Sequence, residues 1–212
     1  MDFRLYFKGH LPAETSSPRT KDKHRIRRYF HPQLRELWNT DPNLKEQMRR
    51  PLLLDDADES GEGRVRQARW HPSGKPWIEH LAAEYNRDGF RYIPLVRKNG
   101  LRCSLDILFL RRDPPGGIVS RGGGDIDNRI KVLFDALRIT ENASELCGAK
   151  PEDGEDPFFC LLEDDSLISE VTITTDRLLT PLEGGEAIND VLMVIHVKVS
   201  DPGSIFAAGR LV

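Results

Sequence analysis

Asp125 and Asp127 flank Ile126 directly behind three glycines, and Lys131 follows Asp127 by four residues. Farther along, Glu163-Asp164-Asp165 sets an acidic doublet just ahead of an apolar, β-branched run. A hard divalent ion such as Mg²⁺ takes oxygen ligands in octahedral array, usually a few carboxylates with water and substrate phosphate oxygens. Such an ion supplies bound hydroxide and offsets charge on a phosphorane-like transition state. A lysine ammonium beside it can hold the scissile phosphate or stabilise the developing charge. Acids plus a lysine, with a basic patch to track DNA, are the signature of a metal-dependent nuclease. Each piece has a plainer reading as well. An Asp at a helix start caps free backbone N–H groups. Asp127 and Lys131 have the spacing of a surface i, i+4 ion pair, worth about 0.3–0.5 kcal/mol. The doublet could simply open a turn. Capping alone does not account for two Asp, a Gly tract and a distant acidic doublet together.

The elements around these residues follow from apolar spacing. Ile126, Ile130, Leu133, Phe134 and Leu137 mark one buried helix face, while Asp127, Lys131 and Asp135 share another face. Asp125 converges with Asp127 only if the helix begins near Asp127 and Asp125 lies in the loop before it; residues 122–124 give that loop its backbone freedom. Ahead of this helix, two apolar-rich runs flank Asn99-Gly100 in residues 90–112, a strong hairpin signal. The second run alternates Leu101, Cys103, Leu105, Ile107 and Phe109 and predicts a central strand. Strands are also predicted for residues 3–8, for a run carrying Val171 and Ile173, and for residues 191–199. Helices are predicted from the basic block onward, with Pro32 interrupting or restarting the first, and from Asp41 as N-cap with Pro42 behind it. A further helix is predicted over 77–86. The fold class that results is α+β, a mixed β-sheet with helices packed on it.

The 212 residues make a single domain, 1–212, with acidic excursions near 51–63 and 141–160. A composition of 38% hydrophobic and 31% charged residues is that of a globular protein. No apolar run reaches membrane-spanning length and no signal layout opens the chain, so a cytoplasmic protein without a membrane partner is expected. Cys103, Cys147 and Cys160 read as reduced thiols. His24 and His31 have no third histidine at ligand spacing. The net charge of −3 hides segregation: residues 19–28 hold six Lys or Arg against one Asp, while acids gather in 55–62 and 141–165. DNA senses the local patch more than the sum. Arg19, Lys21, Lys23, Arg25, Arg27 and Arg28 are therefore the expected DNA contacts, a solvated helix face being the plainer alternative.

At D-I-D-N-x-x-K-x-x-F-D-A-L (125–137) and E-D-D-S (163–166) the chain resembles the RusA family of Holliday-junction resolvases. The similarity runs from about Leu101 to Asp176. The family consists of small homodimeric Mg²⁺-dependent endonucleases that nick DNA four-way junctions in pairs. The resemblance implies a RusA-like fold, with Asp125, Asp127 and Asp165 as catalytic carboxylates and Lys131 as catalytic lysine. It implies Asp125, Asp127, Asp164 and Asp165 as metal ligands, with Mn²⁺ able to stand in for Mg²⁺. Asn128, inside the motif, joins the DNA contacts. Branched DNA and a second copy of the chain are the implied partners, with Phe3, Tyr29, Phe30, Leu34, Leu37 and Trp38 as apolar surface for the dimer. In this chain the connector after the helix carries Glu141, Glu145, Glu152, Asp153, Glu155 and Asp156, acids that would repel DNA if they lined the cleft. Against the nuclease stand a RusA-like fold that is catalytically weak or inactive and binds DNA or protein, and a D-x-D nucleotide-sugar transferase, for which the chain has little room.

Overall fold

The structure, a computed structural model, describes residues 1–13, 19–51, 53–54, 69–70, 72–112, 126–182 and 190–201. Most of the 51–63 excursion, Arg121 and the 122–125 stretch with Asp125 lie outside the described residues.

Four long strands carry the larger sheet: β1 (Asp2–His10), β6 (Arg102–Arg111), β8 (Ile168–Arg177) and β9 (Asp190–Ser200), in the order β1-β9-β6-β8. β6 is central, antiparallel to β9 and parallel to β8. Its alternation is one-sided: Cys103, Leu105, Ile107 and Phe109 are buried, while Asp106 and Leu108 are exposed. That is a strand with one face on the core. A second sheet joins β4 (Asn86–Arg87), β5 (Phe90–Val96) and β7 (Phe158–Leu162), with β5 and β7 parallel. Two short strands, β2 (Leu53–Leu54) and β3 (Arg69–Trp70), pair with each other. The fold is α+β with two mixed sheets.

The expected hairpin across Asn99-Gly100 does not form. Gly100 takes the left-handed φ of a turn, 101°, but the strands on either side enter different sheets. The reason is burial. Every residue of β7 and nearly every residue of β5 is buried, so both are interior parallel strands, whereas β6 keeps one face open. Glu163, just past β7, donates its N–H to Val96 O (2.9 Å) and accepts the Lys98 N–H on its carboxylate (2.8 Å). The end of β5 is thus tied to β7 rather than turned back onto β6.

Helix α1 (Thr20–Thr40) continues through Pro32 without interruption. Proline removes one N–H from the ladder, but Phe30, Leu34 and Trp38 on either side of it are packed into the core and hold the turn. Those three side chains are therefore core within one chain, which corrects their assignment to dimer surface; Phe3, Tyr29 and Leu37 pack partly buried against the same core. Asp41 caps α2 (Pro42–Arg49) as the sequence predicts, its Oδ1 accepting from the N–H groups of Asn43 and Leu44 at 3.0 Å each. Helix α3 (Trp77–Glu84) also forms. Gln33 of α1 closes the outer edge of β1: its amide accepts from Tyr6 N–H (3.0 Å) and donates to Tyr6 O (2.9 Å), as a neighbouring strand would. No described helix is long and apolar enough to cross a membrane.

Two histidines on α1 sit inside. His31 accepts from Phe159 N–H on Nδ1 (2.9 Å), so its Nε2 carries the proton and donates to Gly154 O (3.0 Å). His24 lies edge-on to Phe90, with ring centroids 5.2 Å apart. Burial, reinforced by the Arg27 and Arg28 guanidinium groups, pushes the His24 pKa down from 6.5 to about 4. His31 is also lowered, again chiefly by burial. Between pH 6.5 and 4 the unfolded chain therefore binds more protons than the folded one, so stability should fall as pH falls through that window. For His24 alone the loss is on the order of 3 kcal/mol. Chemical denaturation at a series of pH values should show it, and His24→Phe should flatten the slope; an unchanged slope would place the effect elsewhere.

Candidate functional site

The 126–137 helix, α4 (Ile126–Leu137), is clamped at both ends by buried arginines. At its start Arg129, 1% exposed, donates to Leu11 O in the segment after β1. At its other end Arg27 of α1, also 1% exposed, donates from Nε to Arg138 O (2.9 Å) and from a terminal nitrogen to Asp135 O (2.7 Å). The last carbonyls of a helix lack intrahelical donors and carry the negative end of its dipole, so a guanidinium there satisfies both needs. Burial lowers the Arg27 pKa, and Glu145, 3.5 Å away, counters it.

Asp135, placed by periodicity on the same face as Asp127 and Lys131, is instead buried. Its two oxygens meet Lys23 Nζ at 2.7 Å and the Arg138 guanidinium at 3.0 Å. Asp127 and Lys131 are exposed, and the Asn128 N–H donates to Asp127 Oδ1 (2.7 Å). Asn128 itself is half-buried.

The acidic doublet opens a short 3-10 turn, Asp165–Leu167, between β7 and β8, and α4 packs against that turn. Asp164 is its cap. One oxygen accepts from Ser166 N–H (2.9 Å) and the other pairs with Lys98 Nζ (2.9 Å). These bonds, Ser166 first, hold the Asp164 carboxyl well below the usual carboxylate range. Both oxygens are thus spoken for, and Asp165, exposed beside it, is the member of the pair open to a cation. The oxygen-only donor set suits a hard cation. Among the described residues no group of three or more His, Cys, Asp or Glu has metal-holding geometry, and Asp125 lies outside them.

The basic block is not one face. Arg27 is inside, and Lys23, 8% exposed, is paired with Asp135, so as folded neither presents a cation to a phosphate. Arg28 is half-buried and bound to Glu152 (2.5 Å), Glu155 (3.0 Å) and Lys150 O (2.8 Å). Arg25 donates to His10 O and lies 3.8 Å from Asp22. Lys21 is exposed and Arg19 half-buried. Of the six expected contacts, Lys21, Arg25 and Arg19 remain at the surface without a carboxylate closer than 3.5 Å among the described residues.

The acids of 141–156 are the other half of this arrangement. Arg138 holds Glu141 (3.2 Å) and Glu145 (3.7 Å), and Arg91 holds Asp156 (2.7 Å) and Glu79 (2.8 Å). At Gly154 a Cβ would fall 2.7 Å from the Arg35 guanidinium, which donates to Gly154 O; glycine permits the approach, and the positive φ of 84°. Glu141, Glu145, Glu152, Glu155 and Asp156 are thus each held by an arginine and the connector is docked on α1, while Asp153 is exposed. Sequence reasoning missed Lys98, Arg138 and the buried role of Asp135. The available signal was the charge segregation itself, since blocks of opposite sign in one chain are natural partners.

The three thiols are free; Cys103 and Cys160 are buried, and burial pushes the Cys103 thiol up to about 12. In comparisons with known proteins the chain matches no protein-family model, no curated protein and no solved structure.

Proposed function

We propose that the protein is a RusA-like, Mg²⁺-dependent, structure-selective endodeoxyribonuclease that resolves DNA four-way junctions by paired nicks. The observation that carries the reading is the packing of α4, with Asp127 and Lys131 exposed on it, against the turn that holds Asp165 open. Asp127, Asp165 and the neighbouring Asp125 would hold the ion, which when bound supplies a hydroxide nucleophile and neutralises phosphate charge. Lys131, one helical turn from Asp127, brings an ammonium to the scissile phosphate. Asp164 and Lys98 brace the turn. Lys21, Arg25 and Arg19 supply what electrostatic attraction for the backbone remains, a smaller share than six cations would give.

The test is incubation with labelled four-way, flap and linear duplex DNA, with and without Mg²⁺. Cleavage of the four-way substrate only with Mg²⁺ is expected. Absence of metal-dependent cutting on every substrate would end the nuclease reading. Cutting of flaps alone would keep the nuclease and drop the junction. A non-cutting DNA- or protein-binding module is the second reading: junction binding without cutting would mark its DNA-binding form, while the pairing of Lys23, Arg27 and Arg28 with acids favours its protein-binding form.

Paired nicks from one carboxylate cluster per chain call for two chains about a two-fold axis. With Phe30, Leu34 and Trp38 inside, the surface on offer is the outer face of the large sheet, where register sets exposed Tyr6 and Leu108 on either side of Val194. Light scattering at micromolar concentration should give twice the 24.1 kDa chain mass. A strict monomer would leave a simple nicking enzyme.

A further inference from the structure

A concave pocket of about 430 Å³ opens between the N-terminal half of α1 and the turn after the Ala143–Leu146 3-10 helix. None of the residues assigned to cleavage lines it. Its basic wall is Lys21, Arg25 and Arg28, all from α1, and its apolar side is Leu146 and Ala149. Between them stands His24, only 6% exposed, with neither ring nitrogen hydrogen-bonded. Arg28 Nε is likewise buried without a partner. A polar group left unpaired inside a protein costs stability unless something satisfies it. Two such groups on residues that line one basic cavity point to a ligand that accepts hydrogen bonds.

The lip of the pocket is Cys147-Gly148, both in left-handed conformation, at φ 52° and 77°. A Cβ on Gly148 would have nothing within 4 Å, so the mouth is open there. Three local acids equal the three wall cations in number but not in placement: Glu152 and Glu155 both take terminal nitrogens of Arg28, and Asp22 lies 3.8 Å from Arg25. Lys21 pairs with no carboxylate among the described residues.

We propose that this pocket binds a phosphate-bearing ligand of nucleotide size. The Arg25 guanidinium and the Lys21 ammonium favour a phosphate, and a small shift of the lining would give its oxygens the unpaired His24 and Arg28 Nε groups as well. A bare phosphate would fill little of the volume. The apolar side, Leu146 and Ala149, suits a flat ring, and pockets of this size hold small organic ligands. The ligand chemistry is shared by a free nucleotide and by a nucleotide at the end of, or turned out from, a DNA strand. The pocket shares Lys21 and Arg25 with the backbone contacts of the proposed nuclease but uses none of its cleavage residues, and binding of a mononucleotide does not require cleavage.

Titration calorimetry of the full chain with thymidine monophosphate, thymidine and inorganic phosphate tests it. Thymidine monophosphate should bind at least about tenfold tighter than either fragment. Lys21→Ala with Arg25→Ala, both exposed positions, should weaken it at least about tenfold while moving the melting temperature by no more than about 4 °C. The His24 imidazole ¹⁵N shifts should move on addition of the nucleotide and stay still in the double variant. No binding up to about 10 mM, or equal binding by the variant, would overturn the proposal. A short oligothymidylate separates the two sources: binding more than about tenfold tighter than the monophosphate assigns the pocket to a strand, and equal binding to a free nucleotide.

Discussion

Arg27→Ala should cost the fold about 3–5 kcal/mol, the range for removing one partner from a buried charged network. The loss has three parts. The carbonyls of Asp135 and Arg138 lose their donors at 2.7 and 2.9 Å, Glu145 loses the nearer of its two counter-charges and keeps Arg138, and a fully buried side chain is replaced by a void. Arg27→Lys should recover only a fraction, since one ammonium cannot reach both carbonyls as a planar fork does. Arg25→Ala, two residues away and exposed, should cost under about 1 kcal/mol. Urea denaturation of the three variants reads this directly. If Arg27→Ala were as stable as Arg25→Ala, the clamp on α4 would not be what joins the two helices. The same result has a practical reading: a triple replacement of Arg25, Arg27 and Arg28 would confound unfolding with lost DNA affinity. Lys21 and Arg25 are the positions at which a salt slope can be interpreted.

The second large effect concerns turnover. Asp127→Asn preserves size and the ability to accept the Asn128 N–H while removing the charge an ion needs. Cleavage should fall by about a thousandfold or more while junction binding persists, or even tightens as one repulsive charge leaves the phosphate's path. Lys131→Ala should lower turnover at least about a hundredfold with little change in melting temperature, because an exposed lysine contributes only tenths of a kcal/mol to the fold. Single-turnover kinetics with Mg²⁺ would separate the step from binding. Full activity in Asp127→Asn would remove this carboxylate from the reaction, and full activity in Lys131→Ala would return the lysine to a surface pair.

Most of the elements could be read from the chain because their signals are local. The Asp41-Pro42 cap, the one-sided alternation of β6 and the helix over Ile126–Leu137 each depend on a few adjacent residues. What failed was partnership. Asn99-Gly100 correctly marks a turn, yet a turn dipeptide does not say whether its two strands share a sheet. The unbroken apolar character of Phe158–Leu162 was the hint that an interior parallel partner waited for β5. Charge misled for the same reason. Six cations in ten residues look like a DNA-tracking face, but a helix turns each side chain about a hundred degrees from the last. Lys23 and Arg27, four apart, therefore fall on the side that meets α4, and Arg28 reaches the docked connector. At the candidate site the motif singled out Asp127, Lys131 and Asp165, all three exposed on α4 or on the turn it packs against. Which of Asp164 and Asp165 is engaged by its own turn depended on Lys98, more than sixty residues away.

The pairing of β1 with β9 also dictates an order of events during synthesis. Residue 2 finds its partner at residue 198, and β6, the centre of the sheet, has both neighbours later in the chain than itself. A nascent chain that has emerged only through α4 holds β1 and β6 with no strand between them. β8 can then add to one side of β6, but β1 has no place in the sheet until β9 arrives. Contacts of such long sequence separation form slowly, and unpaired strand edges are exposed to other chains in the interval. The Gln33 amide on Tyr6, which closes the outer edge of β1, needs only α1 and can act from the start. The opposite edge, the one β9 will take, stays open until β9 is made, so a ribosome-bound chain short of residue 190 should be the form most prone to aggregate.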